Sequence, residues 1–230
     1  VLPERAFRAF GSVRSDIELD FMGTAKIQLS LELLGRCSQD PGLLPWLMQR
    51  SGSERILALW RLVWSSGKPE RVIEVPLVCQ EVSCKEALAL TFTEEELADL
   101  LPHADADAEA LRVPSSQDAL ELLHQDPGPW LGRIAGGDSL AVAEARWQKA
   151  DPLLSLTCET QCPACGRTQS FSLDLEGMAL KVLRGMQMAL IHTVHLLAER
   201  YHWNEEEILA LPAWRRNHYL RLLKRDGAWT

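Results

Sequence analysis

The feature that most constrains how this 230-residue chain can fold is the placement of its cysteines. Five of the six fall in two tight groups, Cys79 with Cys84 and Cys158 with Cys162 and Cys165, while Cys37 stands alone. Thiols clustered in this way read as metal ligands before they read as disulfides. In Cys162-Pro163-Ala164-Cys165-Gly166 the two-residue gap turns both thiolates toward one ion. The following glycine permits the positive φ at which backbone N–H groups point at sulfur. A closed structural zinc site needs four ligands. Cys79 and Cys84 are the best second half, which would make the metal a clip between the two halves of the chain. Cys158 competes for the fourth place, and a set of Cys158, Cys162 and Cys165 with one of Cys79, Cys84 or a histidine stays open. The expected cofactor is therefore structural Zn2+, with reduced buried thiols as the alternative; for Cys37, at a helix end, burial is the expectation.

Hydrophobic periodicity places the surrounding elements. Apolar residues alternate from Ile17 to Phe21 and then close up, predicting a short strand or loop to Gly23 and a helix over 25–36, stopped by Gly35 and the Asp40-Pro41-Gly42 turn. Over 54–64, Ile56, Leu57, Trp60, Val63 and Trp64 recur at helical spacing and mark a core helix. Alternation over 71–78 predicts a strand that ends at Cys79, and 87–92 predicts its return. Thr93 before Glu94-Glu95-Glu96 is a helix cap with acid in the first turn, where the helix dipole favours it.

The second cysteine group repeats this order: 154–157 leads in, 168–173 returns, and Asp174 and Glu176 open a helix. The two segments form a pseudo-repeat of strand, cysteine turn, strand and helix. Between them, 103–109 reads as an acidic solvated loop, 111–114 as a short strand, and 116–124 (capped by Ser115 or Ser116) and 138–149 as helices. Asp126-Pro127-Gly128-Pro129 and Gly136-Gly137 punctuate this stretch. The clearest helix spans 177–202 and is too apolar to lie alone on a surface. Asn204 caps a short helix to residue 209, and Pro212 begins a last one over 213–225.

Composition narrows the function. Hydrophobic residues make up 47% of the chain, enough for a real core, and 32 acidic against 24 basic side chains leave a net charge of −8. An acidic chain is a poor polyanion binder, so no nucleic-acid partner is expected. No apolar run approaches the length of a bilayer span, and Val1-Leu2-Pro3-Glu4-Arg5 lacks a signal core; the expectation is a cytoplasmic chain without a membrane partner. His192 and His195 stand three apart without the glutamate of a zincin helix, and read as polar or core-edge side chains. No nucleophile elbow, phosphate loop or dinucleotide fingerprint occurs, so neither catalytic residues nor a small-molecule substrate are expected.

Near the end, Arg215, Arg216, Arg221, Lys224 and Arg225 interleave with Trp214, His218 and Tyr219. Glu205, Glu206 and Glu207 lie just before them, and cations also suit a helix C-terminus. A protein-facing or solvated surface is the favoured reading, with Trp203, Trp214, Arg215, Arg216, Tyr219 and Arg221 as the candidate partner contacts, since tryptophan, tyrosine and arginine dominate interface hot spots. Among the other tryptophans, exposed members of Trp46, Trp130, Trp147 and Trp229 are further candidates.

The knuckle Cys162-Pro163-Ala164-Cys165-Gly166 is followed by Leu173-Asp174, by His192 and His195-Leu196-Leu197-Ala198, and by Tyr201-His202-Trp203-Asn204-Glu205. Ile208-Leu209-Ala210-Leu211, Arg215-Arg216 and Tyr219-Leu220 complete the run. Together they resemble the baseplate-associated proteins of contractile phage tails and phage-tail-like contractile injection systems, and are similar to baseplate hub subunits and hub assembly factors. The likeness is densest over 150–225. It extends more weakly to 57–97 and to Leu111-Arg112-Val113-Pro114 with Asp118-Ala119-Leu120. One departure stands out: the first knuckle is Cys79-x4-Cys84 where the family pattern would carry a tighter C-x2-C.

The resemblance implies a structural or assembly, chaperone-like role in a baseplate, with other baseplate, hub or spike proteins as partners. It carries no catalytic residues over. A zinc-ribbon nucleic-acid-binding regulator is the alternative, and a metallohydrolase would demand an open metal position.

The expected fold is α+β and mostly helical, with small zinc-knuckle β-hairpins clipped between an N-terminal helical region and a C-terminal helical hairpin. The expected segments are 1–70 helical, 71–100 first cysteine hairpin and helix, 101–150 acidic loop and helical connector, and 151–230 second knuckle and C-terminal helices. The metal would join all of them into one composite unit.

Overall fold

The computed structural model describes residues 7–67, 70–101, 112–124, 128–129 and 139–226. Helices α1 (Lys26–Cys37), α2 (Leu43–Met48) and α3 (Gly52–Ser65) are followed by the hairpin β1 (Val72–Val78) and β2 (Ala87–Thr93). Then come α4 (Glu94–Asp99), α5 (Ser116–Glu121), α6 (Leu140–Ala150) and the second hairpin, β3 (Leu156–Gln161) and β4 (Thr168–Leu173). The long α7 (Leu175–Tyr201) and the short α8 (Glu205–Ala210) and α9 (Ala213–Asp226) close the chain. The mixed, mostly helical architecture with two small antiparallel hairpins and a helical C-terminus is the expected one.

Helix α3 is the hub. Ile56, Leu57, Ala58, Leu59, Leu62 and Val63 are all buried, so the helix is covered on nearly every side, by α1, by α7 and by the turn Pro152–Ser155. Its N-terminus is capped twice. Ser51 accepts from the Glu54 N–H in a reciprocal capping box, and the buried Asp151 carboxylate accepts from the N–H groups of Gly52 and Ser53, each at 2.8 Å. The second cap comes from about a hundred residues away and ties the middle of the chain to its hub. A Cβ on Gly52 would stand 2.5 Å from the Leu154 side chain, which would have to shift to admit it.

Among the described residues, the Trp64 indole nitrogen is the one buried side-chain polar atom without a hydrogen-bond partner; the other buried polar groups are paired. Arg55 on α3 donates to Glu176 on α7 at 2.9 Å, and the same carboxylate accepts from Ser30 on α1 at 2.7 Å, so three helices share one buried network. Farther along α7, the Gln187 amide nitrogen faces the carbonyls of Asp16, Ile17 and Leu19 at 3.0, 3.1 and 2.9 Å. That side chain anchors the N-terminal loop. The loop is itself knotted by buried Asp16, whose carboxylate accepts two bonds from Arg8 and others from the N–H groups of Gly11 and Ser12.

Each hairpin is a two-stranded ribbon. β1 and β2 pair from Val72 opposite Thr93 to Val78 opposite Ala87, and β3 and β4 from Leu156 opposite Leu173 to Gln161 opposite Thr168. Pro76 sits within β1, a position tolerated because a two-stranded ribbon leaves one edge of the strand unpaired. The inward residues Ile73, Val75, Phe171 and Leu173 join the core, so the hairpin bases are rooted in the helices while their tips project.

Two expectations change. Helix α2 lies where only a turn was expected, because Leu43 and Leu47 supply a short buried stripe just after the Asp40-Pro41-Gly42 turn. Of the strand or loop expected up to Gly23, the structure takes the loop, preceded by a 3-10 turn, Arg14–Asp16, that forms around the Asp16 knot. The short strand at 111–114 is not formed over 112–114, where the chain instead makes a single bridge from Ser115 to Ser51. Leu111, the acidic stretch 103–109, Trp130, Gly136-Gly137 and Trp229 lie outside the described residues.

Candidate metal centre

The two hairpin tips meet, and the sulfurs of Cys79, Cys84, Cys162 and Cys165 lie within 4.8 Å of one another. The closest pairs run between hairpins: Cys79 Sγ to Cys165 Sγ and Cys84 Sγ to Cys162 Sγ, each 3.7 Å. This separation is too long for disulfide bonds, and all the cysteines are free. It does match a tetrahedral ion: four sulfurs at ~2.3 Å from a central metal are ~3.8 Å apart. The donor set can bind a metal ion. Cys158 is not one of the four. It sits in β3 opposite Phe171, packed partly against the core, and burial raises its thiol pKa. Cys37 is fully buried at the end of α1, and desolvation pushes its thiol up to about 12.

The two knuckles close in the same way despite their different lengths. The Cys79 N–H donates to the Glu86 carbonyl at 2.8 Å, and the Cys162 N–H donates to the Arg167 carbonyl at 3.0 Å. The residue after the last cysteine takes positive φ in each, Lys85 at 54° and Gly166 at 72°. The longer Cys79 loop therefore reaches the same geometry with two extra residues, and a lysine occupies the position that glycine fills in its counterpart.

Side chains that spacing does not reveal support the cysteines. Gln169 of β4 reaches across to the first knuckle, donating from Nε2 to Cys79 Sγ at 2.9 Å and accepting the Gln80 N–H on Oε1 at 2.6 Å. Arg167 pairs with Glu81 at 2.7 Å, bridging the tips a second time. Nothing local in the sequence marks these residues, because their roles arise only when the hairpins dock.

Four like donors cannot all ionise together without a cation between them. Desolvation works against the Cys79 thiolate, but hydrogen bonds from Gln169, the Glu81 backbone and the Cys162 and Cys84 thiols outweigh it and bring this thiol to about 7. Cys84 moves the other way, to about 12. The Glu86 backbone favours its thiolate, whereas desolvation and the Cys162, Cys79 and Cys165 sulfurs oppose it more strongly. Cys165 is raised as well, the Arg167 N–H being outweighed by desolvation and by Cys162 and Cys79. A bound divalent cation removes this conflict, since thiolate is the ligating form.

At the C-terminus the residues expected on a docking surface divide. Trp203 stacks on Tyr201 at 4.8 Å, and Tyr219 meets both rings edge-on, so Trp203 and Tyr219 fasten α9 to the end of α7. Arg216 departs from the expectation. It is buried and donates to the carbonyls of Leu209 and Leu211 at 3.1 and 2.8 Å, closing the C-terminus of α8 rather than facing outward. Trp214, 70% exposed, and Arg215 and Arg221 do face solvent. Arg215 lies over the Tyr219 ring and, with Trp203, Glu207 and Leu211, lines a shallow cleft. Of the other tryptophans, Trp46 is half-buried under Arg50, and Trp147 donates to the Arg112 carbonyl. His192 and His195 are exposed on α7, and among the described residues no helix is long and apolar enough to cross a membrane.

Comparison with protein-family models, with curated proteins and with solved structures returned no match.

Proposed function

We propose that this chain is a zinc-clipped structural or assembly protein of a contractile phage-tail or injection-system baseplate, acting by binding other proteins rather than by catalysis. The observation that carries the structural half is the four-cysteine cluster, whose sulfurs all lie within 4.8 Å of one another. Cysteine on all four corners leaves no open position for water or substrate, which is what a structural rather than a catalytic zinc requires. Thiolate donors select zinc or iron over harder cations, and zinc is the ion that such knuckles hold without redox chemistry.

The baseplate half rests on the resemblance of 150–225 to baseplate-associated proteins, and the exposed Trp214, Arg215 and Arg221 supply a face of the composition that protein interfaces favour. In this reading the chain works in the cytoplasm, where tails assemble, and its partners are hub, spike or neighbouring baseplate proteins.

Two measurements test it. Elemental analysis of the purified chain should find one zinc per molecule, absent from a Cys162→Ser variant whose hairpin tips lose protection from hydrogen exchange. Co-purification with hub and spike proteins of a contractile tail should be lost in a Trp214→Ala, Arg215→Glu, Arg221→Glu variant that keeps its metal. Zinc-free protein with ordered tips, or pull-downs untouched by the triple change, would overturn the corresponding half. Steeply salt-dependent binding to DNA or RNA would favour the nucleic-acid regulator instead.

A further inference from the structure

Helix α7 has one face that none of the described residues covers. Its inward side is buried through Leu175, Ala179, Leu180, Leu183, Gln187, Leu190 and Leu197. On the opposite side Lys181, Arg184, Met188, Ile191, His195 and Glu199 succeed one another at intervals of three and four, and every one is exposed. This spacing keeps them on a single stripe that runs about 27 Å along the helix.

The stripe is ordered by chemistry. Lys181 and Arg184 stand at its N-terminal end and make no ion pair among the described residues. Met188, 52% exposed, and Ile191, 36% exposed, form an apolar centre. Beside them a Cβ built on Gly185 would meet nothing within 4 Å, so a neighbouring backbone can approach closely there. Glu199 stands at the C-terminal end, its carboxylate 3.9 Å from the His195 ring.

A stripe that is basic at one end, apolar in the middle and acidic at the other is complementary to itself when reversed. We propose that this face of α7 is a homodimer seam, occupied by the same helix of a second copy running antiparallel. A two-fold axis near residue 190 sets Lys181 against the partner's Glu199, brings Arg184 within a turn of the same carboxylate, and lays Met188 and Ile191 on their counterparts. The arrangement is isologous, so every contact occurs twice, and it closes at two copies. A parallel pairing would stack like charges at both ends, which is the discrimination such end charges provide. The seam is a single helix wide, so the proposed dimer is a weak one whose assembly depends on concentration. It involves neither the cysteines nor α9, and stands or fails independently of the metal and of the docking face.

The test is sedimentation equilibrium of the full metal-loaded chain from roughly 1 to 500 µM, a range that brackets weak self-association. Wild type should move from monomer to dimer across it. Lys181→Glu with Arg184→Glu, and Glu199→Lys alone, should each weaken association at least tenfold. The triple variant, with both signs exchanged, should return to within about threefold of wild type, since complementarity is restored with reversed polarity. Met188→Asp should abolish the dimer, with unchanged circular dichroism and melting showing that the monomer is intact. A chain that stays monomeric throughout, a dimer indifferent to Met188→Asp, or a triple variant no better than its parents would each overturn the proposal.

Discussion

The Gln169 side-chain nitrogen lies 2.9 Å from the sulfur of Cys79, a residue of the opposite hairpin, and its carbonyl oxygen takes the N–H of Gln80. One amide thus orients a sulfur of the four-cysteine cluster and fixes the backbone beside it. Groups in this position steady the ligand and moderate its charge, and losing them commonly costs 10–100-fold in metal affinity. Gln169→Leu should accordingly weaken zinc binding by roughly that factor in competition with a chromophoric chelator, while circular dichroism shows the helices unchanged. Loss of less than threefold would mean that the cysteines alone set the affinity.

Metal binding should release protons, and the thiol environments give the direction. With Cys79 near 7, Cys84 near 12 and Cys165 raised, the last two carry protons at neutral pH that a metal must displace. Affinity therefore rises with pH. Titration calorimetry in buffers of differing ionisation enthalpy should count at least about two protons per metal at pH 8, and more below pH 7 as Cys79 becomes protonated. A count that does not change across pH 7 would show that Cys79 does not titrate there.

Arg55 and Glu176 form a pair whose side chains are 4% and 8% exposed, reinforced by Ser30 and Ser116. Truncating one member leaves the other charge buried and uncompensated, which costs about 3–5 kcal/mol. Glu176→Ala should show that loss in denaturant unfolding. Glu32→Ala, which breaks the surface pair of Arg36 and Glu32 on α1, should cost under about 1 kcal/mol. Similar losses in both variants would contradict the buried network.

Much of this was legible from local chemistry. Cys162-Pro163-Ala164-Cys165-Gly166 announces its turn because the ligands, the loop and the positive-φ glycine are contiguous. Thr93 with Glu96, Ser115 with Asp118 and Asn204 with Glu207 announce helix starts because a cap and its reciprocal acid lie three residues apart. What escaped depends on docking between distant segments. Gln169 meets Cys79 across 90 positions, and Asp151 caps α3 across 99. Arg216 looks like a surface cation in a basic run, and is buried because the chain turns at Pro212 and lays it over the open carbonyls at the end of α8. Composition cannot separate an arginine that faces a partner from one that closes a helix.

The two knuckles offer a matched pair of substitutions with opposite signs. Lys85 is held at φ 54°, where an L-residue is strained by roughly 1 kcal/mol, so Lys85→Gly should relieve strain that the metal-bound loop otherwise carries. Gly166 sits at φ 72° with open space around it, so Gly166→Ala introduces backbone strain and no clash. The first change should stabilise the loaded protein by about 0.5–1 kcal/mol, and the second destabilise it by about 1 kcal/mol. Both are read as the free energy of metal-loaded unfolding and as the rate of zinc transfer to a chelator, slower for Lys85→Gly and faster for Gly166→Ala. Equal signs in the two variants would mean that Lys85 is not held in the conformation that Gly166 adopts, and that the longer loop closes on its metal by another path.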